Sequence, residues 1–156
     1  MRKHMRNRGF SLLEVVIVVA IIAILAAIGI PRMSRGAKGA GDSALSANLA
    51  VLRNAIDLYA AEHLGTYPAL ATITNQLTQY TDASGGTAAS KDATHIYGPY
   101  VRSIPPLPVG AKKGNTGFDI ADANGVGWIY TAASGTVTAN TSGTEKDDAG
   151  KLYSAY

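Results

Sequence analysis

The sequence contains no cysteine. That excludes disulfides, thiolate nucleophiles and cysteine-based metal sites, so a domain built from it is held by packing or by assembly into something larger. Charge is scarce as well, at 16% Asp, Glu, Lys and Arg. The formal net charge of +3 is no nucleic-acid footprint, because Arg2, Lys3, Arg6 and Arg8 all stand in the first nine residues, with no acid among them. Beyond those nine, ten basic residues face eleven acidic ones, so the basic balance belongs to the leader and says nothing of a DNA-binding face. Catalytic constellations are lacking too. His4, His63 and His95 are scattered, without a His-x-x-x-His pair, and read as surface or cap residues. There is no Gly-x-Ser-x-Gly elbow, and Gly110 to Thr116 lacks the Gly-Lys-Ser/Thr order of a phosphate loop. The expectation is a chain that is not an enzyme.

What is present is concentrated at the N-terminus. A basic stretch, MRKHMRNRG, is followed by an apolar run from Phe10 to Ile30 and then by Pro31. As a helix that run reaches about 31 Å, enough for a bilayer core. It could be a secretory signal, a plain anchor or a signal cut ahead of a retained helix. Glu14 separates these readings. An acid inside an apolar segment costs on the order of 2–3 kcal/mol on insertion, and a segment made only for export has no use for it. A plain anchor leaves the carboxylate without a partner, since no basic residue lies between Phe10 and Ile30. Cleavage between Gly9 and Phe10 would create an α-amino group four residues before Glu14. On a neighbouring copy, that amine is a counter-ion reached at one axial offset.

The segment Arg8-Gly9-Phe10-Ser11-Leu12-Leu13-Glu14 resembles the prepilin signal of type IV pilins and type II secretion pseudopilins. The resemblance implies cleavage between Gly9 and Phe10 by a prepilin peptidase/methyltransferase, N-methylation of Phe10, and Glu14 as the assembly acid. It assigns Pro31 as a helix kink. It further implies a self-polymerising filament, an assembly ATPase, an inner-membrane platform protein, and minor pilins or pseudopilins as partners. Before assembly the partner would be membrane lipid, with the N-terminus cytoplasmic and the head outside the inner membrane.

The residues agree with that layout. Pro31 removes a backbone donor and bends or loosens a helix, while Gly29, Gly36, Gly39 and Gly41 each weaken helix by about 1 kcal/mol. Arg32, Arg35 and Lys38 suit lipid headgroups. Leu45, Leu49, Leu52, Ile56 and Tyr59 then form one stripe of an amphipathic helix, with Asp42 or Ser43 as its N-cap and His63-Leu64-Gly65 as its end. A short helix is expected near Leu70 to Tyr80, and a loop over Asp82 to Thr87. The proline-rich stretch from Tyr97 to Pro108 reads as an extended loop. Gly127 to Ala139 reads as a β-hairpin and Phe118-Asp119-Ile120 as a further strand. The tail from Asn140 to Gly150 is polar and reads as mobile, with Leu152, Tyr153 and Tyr156 as docking residues. The fold class expected is α+β: a long N-terminal helix, membrane-spanning then amphipathic, on a small antiparallel sheet. The divisions are a leader over 1–9, an apolar helix over 10–31, a kinked linker and amphipathic helix over 32–64, and a head over 65–156.

Asp119, Asp122 and Asn124, ahead of Gly125, offer oxygen donors on a turn of the kind calcium takes, and resemblance to major pseudopilins adds a calcium site in the C-terminal loops. Glu145, Asp147 and Asp148 are alternative donors. The missing cysteines and the late hairpin favour a pseudopilin over a surface pilus subunit. A minor pilin with a role in adhesion or DNA uptake is the alternative from the binding class.

Overall fold

The computed structural model describes residues 11–156, with the side chains of residues 29–37 outside the description. The chain divides into two compact units, Met1–Ala37 and Lys38–Tyr156. Helix α1 is assigned over Leu12–Glu62. Pro31, the expected kink, lies inside α1, and the headgroup contacts expected of Arg32 and Arg35 rest on side chains outside the description. Lys38 is described, and its ammonium pairs with Asp148 at 3.7 Å.

In the second unit the expected stripe forms the core. Leu45, Leu49, Leu52, Ile56 and Tyr59 are all buried. No fresh helix start forms at Asp42 or Ser43; both lie inside α1. Of the glycines that argue for a break, Gly41 is used for contact instead. A side-chain carbon at Gly41 would stand 3.1 Å from Val109 Cγ1, so the bare backbone lets the loop segment seat against the helix. The helix does end where expected. Leu64 and Gly65 take left-handed φ of 56° and 83°, and the Gly65 amide closes back onto the Ala60 carbonyl at 2.8 Å.

Beyond it, helix α2 (Ile73–Thr78) adds Ile73 and Leu77 to the core. Strands β1 (Tyr80–Thr81) and β2 (Thr87–Ala88) pair antiparallel across the Asp82 loop. Strands β3 (Gly117–Asp119), β4 (Val126–Thr131) and β5 (Thr136–Ala139) make a second sheet in the order β3-β4-β5. The expected β4–β5 hairpin forms, with Trp128 opposite Ala139 and Thr131 opposite Thr136. The expectation of a purely antiparallel sheet is corrected: β3 runs parallel to β4. Parallel neighbours normally need a crossover of a dozen residues or more. Here β3 is so short, about 10 Å, that the six residues 120–125 return the chain, with Gly125 at φ 79°.

The proline-rich segment is irregular, as expected, and supplies Ile104, Leu107 and Val109 to the core. Prolines cannot donate to a sheet, but their carbonyls remain acceptors. Trp128 donates its Nε1–H to the Pro105 carbonyl at 2.9 Å, and Tyr130 its hydroxyl to the Pro68 carbonyl at 2.8 Å. The core's two largest polar aromatics thus hold the loops that cover them.

The tail departs from expectation over Asn140 to Gly150, which is fastened rather than loose, while Tyr153 and Tyr156 dock as expected. Glu145 accepts backbone N–H bonds from Ala111 at 2.6 Å and Ser142 at 2.7 Å. Lys146 bridges to Leu152, and Arg53 Nη2 donates to the Tyr156 carbonyl at 2.7 Å. Tyr153, in the short 3-10 helix η1 (Tyr153–Ala155), is buried. Its phenol is pushed up to about 12 by burial and by the nearby Asp42 carboxylate; Tyr156 rises to about 12 through its bond to Asp147, and Tyr130 to about 12 through burial. A raised phenol favours the protonated form in the fold. The stability it contributes is complete below about pH 10, the unfolded value, and is lost as pH rises from there toward 12. A far-UV circular dichroism titration is expected to stay level to about pH 10 and to fall steeply above it, less steeply in Tyr130→Phe.

Candidate functional site

The first unit carries the chemistry that singles this chain out. Leu12, Leu13, Val15, Val16, Ile17, Val18, Val19, Ile21, Ile22, Ile24, Leu25 and Ile28 all expose about half or more of their surface, Leu12 as much as 84%. A helix apolar on every side is one whose environment is lipid or protein. Each such side chain gains about 1.5–3 kcal/mol on leaving water, and soluble monomers rarely expose a contiguous apolar patch of this extent. Among the described residues no helix is long and apolar enough to cross a membrane. The described apolar stretch, Leu12 to Ile28, reaches only about 26 Å as helix. Part of the Phe10–Ile30 span lies outside the described residues, as do Gly9 and Phe10 themselves.

Glu14 sits in the first turn of α1. Ser11 precedes the helix, and its hydroxyl oxygen accepts the Glu14 N–H at 3.1 Å, while its carbonyl accepts the Glu14 and Val15 amides at 3.1 and 3.3 Å. Ser11-Leu12-Leu13-Glu14 therefore starts the helix with the Ser-x-x-Glu signature of a capping box. Glu14 also stands where a helix favours negative charge. Ser11 is a working residue that the charge argument for Glu14 overlooks, although its spacing is legible in the sequence. Two roles for the acid follow: complementing the positive end of its own helix, and answering a positive charge from outside.

In the second unit, the two carboxylates expected for calcium, Asp119 and Asp122, are engaged by protein groups. Asp119 Oδ1 accepts the Ile120 N–H at 2.7 Å. Asp122 Oδ1 takes the Lys112 ammonium at 2.9 Å and the Asn140 amide at 3.0 Å, and these two bonds, Lys112 first, hold its carboxyl below the usual range. Asn124 is exposed. Of the alternative donors, Glu145 is spent on backbone amides. Asp147 accepts the Tyr156 hydroxyl and the Lys151 N–H, and Asp148 faces Lys38. Among the described residues no three His, Asp or Glu side chains gather as a metal would need. A cation at Asp122 would have to displace the Lys112 ammonium.

Of the histidines read as surface or cap residues, His63 stands at the end of α1 as a cap would. It is buried there, 5% exposed, rather than on the surface. His95 is half-buried between two acids, with Nδ1 at 2.8 Å from Asp92 and Nε2 at 3.9 Å from Asp82. Hydrogen bonds from the His95 and Thr94 amides hold the Asp92 carboxyl far below its ordinary value.

Residues 4–30 match the family of the prokaryotic N-terminal methylation motif. A motif of that kind supports a type IV pilin-like subunit and implies a prepilin-type, membrane-anchored, exported protein. No curated protein and no solved structure matches the chain.

Proposed function

We propose that this chain is a structural subunit of a type IV pilin-like filament, and that the filament is the pseudopilus of a type II secretion system. The observation that carries the reading is an all-round apolar helix with a single acid at its start, inside a matched methylation motif. Phe10 to Ile30 serves first as the membrane anchor and then as filament core, so one apolar surface is covered in both states. Gly9 precedes the cut, Phe10 becomes the methylated N-terminus, and Glu14 answers the new amine of a neighbouring copy. A peptidase, an assembly ATPase, a platform protein and minor subunits complete the partners. The head has no catalytic part in this reading. The pseudopilus is favoured by the absence of cysteine and by the β4–β5 hairpin late in the head.

The test is the N-terminal residue and intact mass of the protein from membranes of a host with prepilin peptidase. A chain beginning at Phe10 with one added methyl group is expected. A chain beginning near Gly29 would make it an ordinary exported protein, and an intact Met1 a simple anchor; either result removes the filament reading. Deletion of the secretion platform, with pilus machinery intact, should then abolish the sheared filaments. Their persistence would move the subunit to a surface pilus.

A further inference from the structure

Both described histidines converge on one residue. His63 Nδ1 lies 2.8 Å from the Tyr59 carbonyl, and its Nε2 lies 2.9 Å from the Asp82 carbonyl. Both partners are backbone oxygens, which only accept. A neutral imidazole has one N–H and one lone pair, so it can satisfy one of these contacts and must set a lone pair against the other. Two protons, and therefore a positive ring, satisfy both. We infer that His63 works as an imidazolium clasp, fastening the β1–β2 hairpin to the end of α1 in a proton-dependent way.

The surroundings suit a cation. The ring stacks on Tyr59, with centroids 3.8 Å apart and planes 5° from parallel, a geometry that favours positive charge over an aromatic face. The Tyr59 carbonyl belongs to the last turns of α1, where the helix presents its negative end. The titratable groups around the ring are Tyr59 and Glu62 from α1, and Asp82, His95, Tyr97 and Tyr100 from the following segments. Glu62 is occupied by the Tyr100 hydroxyl at 2.7 Å, and the Tyr97 ring lies 5.2 Å from His63.

Asp82 is the hub. Its carboxylate closes the loop through Ser84 and Gly86 amides at 2.8 and 2.9 Å, its amide bonds the Gly86 carbonyl at 3.0 Å, and its carbonyl receives His63. From the other side, His95 faces the same carboxylate. Thr81, one residue earlier, pairs with Tyr97 through two backbone bonds of 3.0 and 3.1 Å. Loss of the His63 proton leaves one of two carbonyls facing a lone pair, and the hairpin loosens from the helix end. The sign is fixed by this geometry: the grip is firm while the ring holds two protons and weakens once it holds one. This makes the head responsive to the proton concentration of its compartment, whatever the filament type.

The experiment uses the full chain in detergent micelles, with ring nitrogens observed by NMR alongside thermal melts at about pH 5.5 and 8. At the lower pH both His63 nitrogens should carry protons, and at the higher pH one. The melting temperature should fall by about 3–6 °C between the two. His63→Gln, which offers a single donor group and does not titrate, should flatten that change; His95→Asn should leave most of it. A singly protonated His63 at about pH 5.5, read on the unaltered chain, overturns the clasp. So does a pH dependence that survives intact in a folded His63→Gln.

Discussion

Glu14→Ala will abolish filaments while leaving the chain in the membrane, and its insertion will improve. The two effects have opposite signs because the carboxylate acts in two environments. During insertion it is an acid in hydrocarbon and costs on the order of 2–3 kcal/mol, which alanine removes. In the proposed filament it is half of a pair with the amine of a neighbouring Phe10, surrounded by apolar helices. Breaking a buried pair by removing one partner costs about 3–5 kcal/mol, a factor of a hundred to several thousand at each contact. The measurement is the yield of sheared filaments against the amount of subunit in the membrane fraction.

The capping geometry supplies the rival account and the means to exclude it. Ser11 and Glu14 start α1 together, and losing such a cap costs roughly 0.5–2 kcal/mol. If capping were the acid's whole role, Glu14→Gln would restore filaments, because glutamine also completes a Ser-x-x-Glu/Gln box. If the charge matters, glutamine will fail as alanine does. Ser11→Ala is the complementary variant: it removes the cap, keeps the carboxylate, and should assemble close to normally. Filaments in Glu14→Gln at full yield would sink the charge role.

Legibility of the fold follows the range of the interactions concerned. The Leu45–Tyr59 stripe and the β4–β5 hairpin were readable because burial periodicity and turn glycines are local signals, and the core uses both. The persistence of α1 through Asp42 was not. Helix propensity counts Gly39 and Gly41 as weakening, whereas contact with Val109, distant in sequence, gives Gly41 a packing reason to be there. Strands β1 and β2 have two residues each and so carry no alternation to detect. The tail looked mobile by composition, yet it is fastened by carboxylate-to-amide bonds such as Glu145 to Ala111, which composition does not encode. At the candidate site the situation reverses. Glu14 stands out in sequence because its surroundings are uniformly apolar, and Ser11 is fixed by a three-residue spacing. The His63 contacts were beyond reach, since one partner is a backbone carbonyl nineteen residues away, positioned by the closure of the Asp82 loop.

Trp128→Ala is expected to unfold the head or bring it to the edge of unfolding. Trp128 has 0% of its surface exposed and sits in β4 among the helix stripe and the proline segment. Truncating a buried tryptophan costs about 3–5 kcal/mol through lost burial and the cavity left behind, against a total stability of about 5–15 kcal/mol for a domain. The loss reaches beyond volume. Without the indole N–H, the Pro105 carbonyl loses its 2.9 Å partner, and the segment carrying Ile104, Leu107 and Val109 loses a polar tie to the sheet. Melts of the full chain in detergent should show a fall of about 10–20 °C. Trp128→Phe separates the contributions: it keeps an aromatic ring in the core but abandons Pro105, and should fall by less than half as much. A shift below about 5 °C in Trp128→Ala would mean that the sheet and loops collapse onto the vacated space. The proline segment would then owe its place to Leu107 and Val109 packing on the helix rather than to the indole.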